Sequence, residues 1–287
     1  MCVSPLTFKR DGTLVTVPCG KCIECLERKR NDWSIRLQNE LKSVKSGYSY
    51  FVTLTYAPES VPCVYDEYDN LLGYTLVREH VSKFVRSIRD RFRYAARLQG
   101  IDNKVFKFRY FACGEYGIAG LRPHYHLMLF GFLFDYDFTY DVLSKCWHKG
   151  FVSLGYLRDG GCHYQAKYMV KPSGLPEQCI KPFCQGSKYL GLSYLDDDML
   201  RYHRDPSSRV LTNRRKFVAV PRYYRTRIFT DKISRDMAAK IQRDKYMDYI
   251  NSMVGQYYSE REYEQNRAAY ISRKTQNFYK LLHHRKL

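Results

Sequence analysis

The chain has 287 residues, enough for one large core or two smaller ones, and carries 48 Lys and Arg against 29 Asp and Glu, a formal charge of +19. That excess points to a polyanionic partner, most simply nucleic acid, and the 27 Tyr, 16 Phe and 2 Trp suit stacking on the unpaired bases of a single strand. No stretch approaches the ~18 consecutive apolar residues of a membrane helix, MCVSPLTFKR has no apolar leader, and ten cysteines are few for a secreted disulfide scaffold; a cytoplasmic protein with reduced thiols and no membrane partner is expected.

In chain order, VPCGKCIECLERKR comes first. Cys19, Cys22 and Cys25 follow a C-x2-C-x2-C spacing that can wrap Zn2+ if a fourth ligand such as Cys2 or Cys63 joins them; a metal-free trio of thiols is the alternative. LERKRNDWSIRLQNELKSV then reads as a helix with Trp33, Ile35, Leu37 and Leu41 for packing and a basic start at Arg28, Lys29 and Arg30 that can seat DNA. YSYFVTLTYAPE alternates from Tyr50 to Tyr56 and reads as a strand stopped by Pro58. TLVREHVSKFVRSIRDRFRYAARL sets Val77, Val81, Phe84, Val85, Ile88 and Phe92 at helical spacing. VFKFRYFACGEYG and RPHYHLMLFGFLF read as two more strands, joined by a turn through Ile118 to Leu121. The order predicts an α+β fold: a central antiparallel sheet with helices packed on it, a small Cys-containing N-terminal segment (1–45), the sheet domain (46–225) and a helical C-terminal extension (226–287).

Within GLRPHYHLMLFG the alternation of a strand turns His124 and His126 to one face and Tyr125 to the core. Folding the turn brings Glu115 toward the two histidines. One carboxylate and two imidazoles leave coordination positions open on Mg2+ or Mn2+, where a phosphate oxygen and water could enter. The competing reading is two satisfied histidines beside a surface turn carboxylate. Farther on, GGCHYQAKYMVKPSG spaces Tyr164, Lys167, Tyr168 and Lys171 along one helical face. The acidic run Asp196 to Asp198 reads as a helix start, and Asp231 to Leu287 as helical and charged. No P-loop pattern occurs, so strand separation would need a separate motor.

The order of a FVTLTY strand, an H-hydrophobic-H strand and a Y-x3-Y-x2-K helix resembles the replication-initiator class of HUH endonucleases. More narrowly, PCGKCIEC, CGEYG followed by RPHYHLMLFG, Tyr164 with Tyr168 and Lys171, and PRYY at 221 to 224 resemble the replication initiators of gokushovirus-type microviruses. The resemblance implies that His124 and His126 are the metal pair, Glu115 the third ligand, and Tyr164 and Tyr168 the nucleophile candidates, with Lys167 and Lys171 beside them and Arg122 on the DNA. It implies rolling-circle initiation: tyrosine attack on single-stranded origin DNA, a 5′-phosphotyrosine link and a free 3′-OH primer, then rejoining of the ends. A host helicase and DNA polymerase would be partners, in the cytoplasm of an infected bacterium. The rivals are a noncatalytic single-stranded-DNA-binding protein and a relaxase- or transposase-type HUH nuclease. Relaxases place the tyrosine before the histidines, whereas here the tyrosine helix follows them.

Overall fold

A computed structural model describes residues 2, 4–102, 107–117, 120–158, 161–162, 175–211, 217–254 and 260–283. In chain order the elements are β1 (Leu6–Arg10), β2 (Thr13–Val17), α1 (Ile23–Ser43), β3 (Tyr48–Tyr56), β4 (Cys63–Tyr65), β5 (Leu71–Tyr74), α2 (Arg78–Leu98), β6 (Arg109–Tyr116), β7 (Pro123–Phe132), α3 (Tyr136–Cys146), β8 (Gly150–Tyr156), β9 (Phe183–Gly186), α4 (Asp197–His203), β10 (Arg209–Leu211), β11 (Phe217–Ala219), α5 (Arg222–Ile228), α6 (Lys232–Val254) and α7 (Glu260–His283). They fall into two units, Arg36–Ser193 and the paired segments Met1–Ile35 and Tyr194–Leu287.

The Arg36–Ser193 unit is built on an antiparallel sheet with the strand order β8-β3-β7-β6-β9. Two periodicities meet on one face of it. Every second residue of β3 and β7 (Tyr50, Val52, Leu54; Tyr125, Leu127, Leu129) joins Val81, Phe84, Val85, Ile88 and Phe92 from α2 and Val142 and Leu143 from α3 in a single cluster. Phe92 is fully buried and meets Phe132 edge-on at 4.9 Å; burial of such a side chain contributes ~1.5–3 kcal/mol. α3 starts where Asp135 caps it, its side chain accepting from the Phe138 amide at 2.9 Å. The expected α+β architecture is therefore present, with helices on the sheet.

β7 occupies the middle of the sheet, between β3 and β6, and every residue except Gly131 is buried. Coverage of both faces explains why HYHLMLF runs almost wholly apolar after its histidines. Gly114 is required at the neighbouring position of β6: a Cβ there would lie 2.8 Å from the Phe183 ring and 3.0 Å from Leu76.

In the other unit, β1 and β2 form a hairpin turned by Asp11 and Gly12, both at positive φ (49° and 78°), the conformation a two-residue turn demands. Its small core gathers Ile35, Val210, Val220 and Tyr224. The PRYY motif is structural in this respect: Pro221 precedes the first turn of α5, and Tyr224 is fully buried. Asp196 caps α4 by accepting from the Met199 amide at 2.9 Å, as the acidic run suggested. Among the described residues no helix is long and apolar enough to cross a membrane.

Candidate metal centre

Register assembles the centre. Glu115 on β6 pairs with His124 on β7, Cys113 pairs with His126, and on the other side Thr55 and Thr53 pair with the same two histidines. Since Tyr125 and Leu127 face α2, the residues between them face away, so Glu115, His124 and His126 share the opposite side of the sheet.

All three are buried, with Glu115 at 0% exposure, which overturns its reading as a surface turn carboxylate. Nε2 of His124 and Nε2 of His126 lie 2.7 and 3.1 Å from one oxygen, Glu115 Oε1. Burial pushes the Glu115 carboxyl up, but the hydrogen bonds and charges of His124 and His126 outweigh it and hold the group well below the usual carboxylate range. The outer nitrogens orient the rings. His124 donates its Nδ1–H to the Arg122 carbonyl at 3.2 Å, and His126 Nδ1 lies 3.0 Å from the Thr53 hydroxyl. Partners on Nδ1 turn both Nε2 atoms inward, as outer hydrogen bonds do for ligating histidines. The inward ligand atoms all lie within 4.8 Å of one another. With protons on Nε2 the three groups satisfy each other; with lone pairs there, the same atoms are two nitrogen donors and one anionic oxygen donor for a divalent cation.

The remaining expected residues are distributed as follows. Tyr164, Lys167, Tyr168 and Lys171 lie outside the described residues. On α1, Arg28 and Lys29 are exposed, while Arg30 is half-buried and 3.9 Å from Glu27. Arg122, exposed two residues before His124, donates from Nη2 to the Tyr56 carbonyl at 3.0 Å. Cys19, Cys22 and Cys25 form a second candidate metal cluster, joined by Cys2. Cys63 is on β4, its thiol 3.4 Å from the Val61 carbonyl. Sequence reasoning did not single out Thr53. The signal for it was the alternation FVTLTY, which becomes specific only once β3 is paired with β7.

Residues 49–173 match a family of replication-associated proteins of the ORF2 type. Replication-associated protein ORF2 of Spiroplasma virus 4 is 31% identical over 253 residues, covering 82% of this chain and 72% of that protein. Replication-associated protein VP4 of Bdellovibrio phage phiMH2K is 23% identical over 81% of this chain and 70% of its own length. Replication-associated protein ORF4 of Chlamydia phage 1 is 26% identical over 54% of this chain and 38% of its own length. The span that matches the family contains β3, β6 and β7, the strands that carry Thr53, Glu115, His124 and His126, and at the identity and coverage of the Spiroplasma virus 4 relative the chain belongs to this family of microvirus replication-associated proteins.

Proposed function

We propose that the protein initiates rolling-circle replication by nicking single-stranded origin DNA through tyrosine attack and later rejoining the ends. The observation that carries this reading is the convergence of Glu115, His124 and His126 on one buried sheet face in a chain of charge +19. These three residues would hold Mg2+ or Mn2+, which when bound supplies Lewis-acid polarisation of a phosphodiester and stabilises the charge that develops on it.

The rest is the work of the chain itself. The phenolate oxygen of Tyr164 or Tyr168 forms a bond to phosphorus and the bond from phosphorus to the 3′ oxygen breaks. That oxygen takes a proton and becomes the 3′-OH primer, while the 5′ phosphate stays on tyrosine. A phenol ordinarily titrates near ~10, so the cationic Lys167 and Lys171 favour the reactive phenolate electrostatically. Attack by a 3′-OH on the phosphotyrosine reverses the step without a nucleotide cofactor. Two phenols one helical turn apart can alternate, one holding the old end while the other cuts the regenerated origin. Arg28, Lys29, Arg30 and Arg122 would contact DNA phosphates. The same proposal includes a host helicase and DNA polymerase as partners, the cytoplasm of an infected bacterium as the site of action, and a division into pieces 1–45, 46–225 and 226–287.

The test is a covalent adduct. Protein incubated with Mn2+ and 3′-labelled single-stranded DNA should retain label on a denaturing gel, and peptide mapping should find it on Tyr164 or Tyr168. Label on another accessible tyrosine, such as Tyr189, which is 56% exposed, would sink the nucleophile assignment. DNA binding with no adduct under any divalent cation would favour the noncatalytic binder.

A further inference from the structure

The four Sγ atoms of Cys2, Cys19, Cys22 and Cys25 lie within 4.8 Å of one another. Cys2 and Cys22 are 3.7 Å apart at sulfur, and a tetrahedron with Zn–S bonds of ~2.3 Å has edges of about 3.8 Å. Backbone amides point at the sulfurs: the Cys19 N–H donates to Cys2 Sγ at 3.2 Å, the Lys21 and Cys22 N–H groups to Cys19 Sγ at 3.4 and 3.3 Å, and the Gly20 N–H to Cys25. Gly20 adopts φ 74°, the left-handed conformation that lets the loop turn these amides inward. Amide donors favour thiolate over thiol, and Cys25 stands in the first turn of α1, where the helix end is electropositive.

A second, independent observation concerns the hairpin between these ligands. Cys2 precedes β1 and Cys19 follows β2, so the cluster ties both open ends of the hairpin to the start of α1. The hairpin has little else. Each of its described side chains is exposed or half-exposed, with Leu6, Phe8 and Leu14 at 55%, 47% and 73%. A two-stranded ribbon without a buried face is marginal in water, and small elements of this kind are held by staples.

We propose that Cys2, Cys19, Cys22 and Cys25 bind one Zn2+ as a closed structural tetrathiolate, and that this ion keeps the β1–β2 hairpin folded. Four thiols bind the ion as thiolates and release four protons to solvent, leaving a complex of charge −2. Four sulfurs fill the tetrahedron and leave no position for water or substrate, which separates this site from the Glu115 centre. The proposal stands apart from the nicking mechanism.

The experiment uses the full chain, purified under reducing conditions, with the His124→Ala, His126→Ala double variant included so that zinc on the other centre is not counted. Elemental analysis should find one zinc per chain in that variant. Co2+ exchanged into the same protein should show thiolate-to-metal charge transfer and tetrahedral visible bands. Cys2→Ser should weaken metal affinity at least tenfold and reduce the charge-transfer band, whereas Cys63→Ser should change neither. Chelation should speed tryptic cleavage within the hairpin, after Lys9, by about tenfold or more while sheet amides stay protected. Zinc-free protein, a spectrum without thiolate charge transfer, retention of metal by Cys2→Ser with loss in Cys63→Ser, or hairpin cleavage indifferent to chelator would each overturn the proposal; the wild-type Co2+ spectrum decides even if Cys2→Ser fails to fold.

Discussion

Glu115, His124 and His126 sit on strands packed by an apolar cluster from α2 and α3, and two of the three side chains stand on a strand with only one residue outside the buried class. Cys2, Cys19, Cys22 and Cys25 flank a hairpin whose described side chains are exposed or half-exposed. The contrast shows two ways to bring ligands together. At the first centre hydrophobic burial fixes the geometry before any cation arrives, so the site is preorganised and can leave coordination positions open for chemistry. At the second, ligation has to supply the ordering free energy itself, which suits a closed structural ion.

The largest expected effect tests the preorganised centre. His124→Ala or His126→Ala should drop adduct formation by more than the roughly 100-fold that losing a supporting partner costs a metal site, with little change in DNA affinity, since affinity comes from dispersed Lys and Arg charge. Adduct yield and fluorescence anisotropy at fixed salt measure the two. Glu115→Ala belongs with them. From sequence alone its effect looked milder, because water could take the place of a carboxylate, but at 0% exposure and accepting from both rings it has no such substitute, and a stability loss of ~1–3 kcal/mol should accompany the lost activity. Unfolding of either histidine variant would mean that the ligands hold the sheet rather than the reverse.

Phe92→Ala removes a fully buried ring from the cluster behind the centre and should cost ~3–5 kcal/mol in urea unfolding. Tyr125→Phe is a smaller change at the same wall. The Tyr125 hydroxyl accepts from the Val77 amide at 2.9 Å, lies 3.0 Å from the Val77 carbonyl and 2.7 Å from the Tyr56 hydroxyl, so its removal strands buried partners at a cost of ~1–3 kcal/mol. Nicking by the folded fraction should persist in both variants; if Tyr125→Phe stops the chemistry at unchanged stability, the two faces of β7 are coupled more tightly than packing requires.

The smallest effect is a pH dependence. Burial, with the Lys149 and Lys83 ammoniums adding to it, pushes His80 down to about 4 from an ordinary 6.5. The unfolded chain therefore takes up a proton before the folded one does. Stability is full above pH 6.5 and falls as the pH drops from there toward 4. Because the ring is partly exposed, the loss should be discounted to about 1 kcal/mol. Urea titrations at pH 7 and pH 4.5 should show it, and His80→Gln should flatten it.

How much of this was legible depended on distance along the chain. β3, α2, β6 and β7 carry clear periods, and the short connection between β6 and β7 lets Glu115 be set against His124 from the letters alone. The edge strands were not legible. β9 has four residues, too few for a period to emerge, and β8 is a partner of β3 through pairs such as Thr55 with Phe151, remote in sequence. The same limit applied to the fourth cysteine. Cys2 and Cys63 close loops that differ by roughly a factor of two, and doubling a loop changes its closure entropy by only ~0.6 kcal/mol, so spacing had no power to choose.

What the sequence by itself determined is local: the charge of +19, the periods of the strands and helices that frame the centre, the shared face of His124 and His126, and the C-x2-C-x2-C spacing. Those features depend on neighbours within a turn or two of chain, where backbone geometry dictates which side chains meet. Tertiary structure alone decided that Glu115 is buried rather than on a turn surface, that Thr53 rather than another hydroxyl meets His126, and that Cys2 rather than Cys63 completes the cysteine cluster. Each of those outcomes is a choice among partners of similar local merit, and it is made by the packing and strand register that the whole chain settles together.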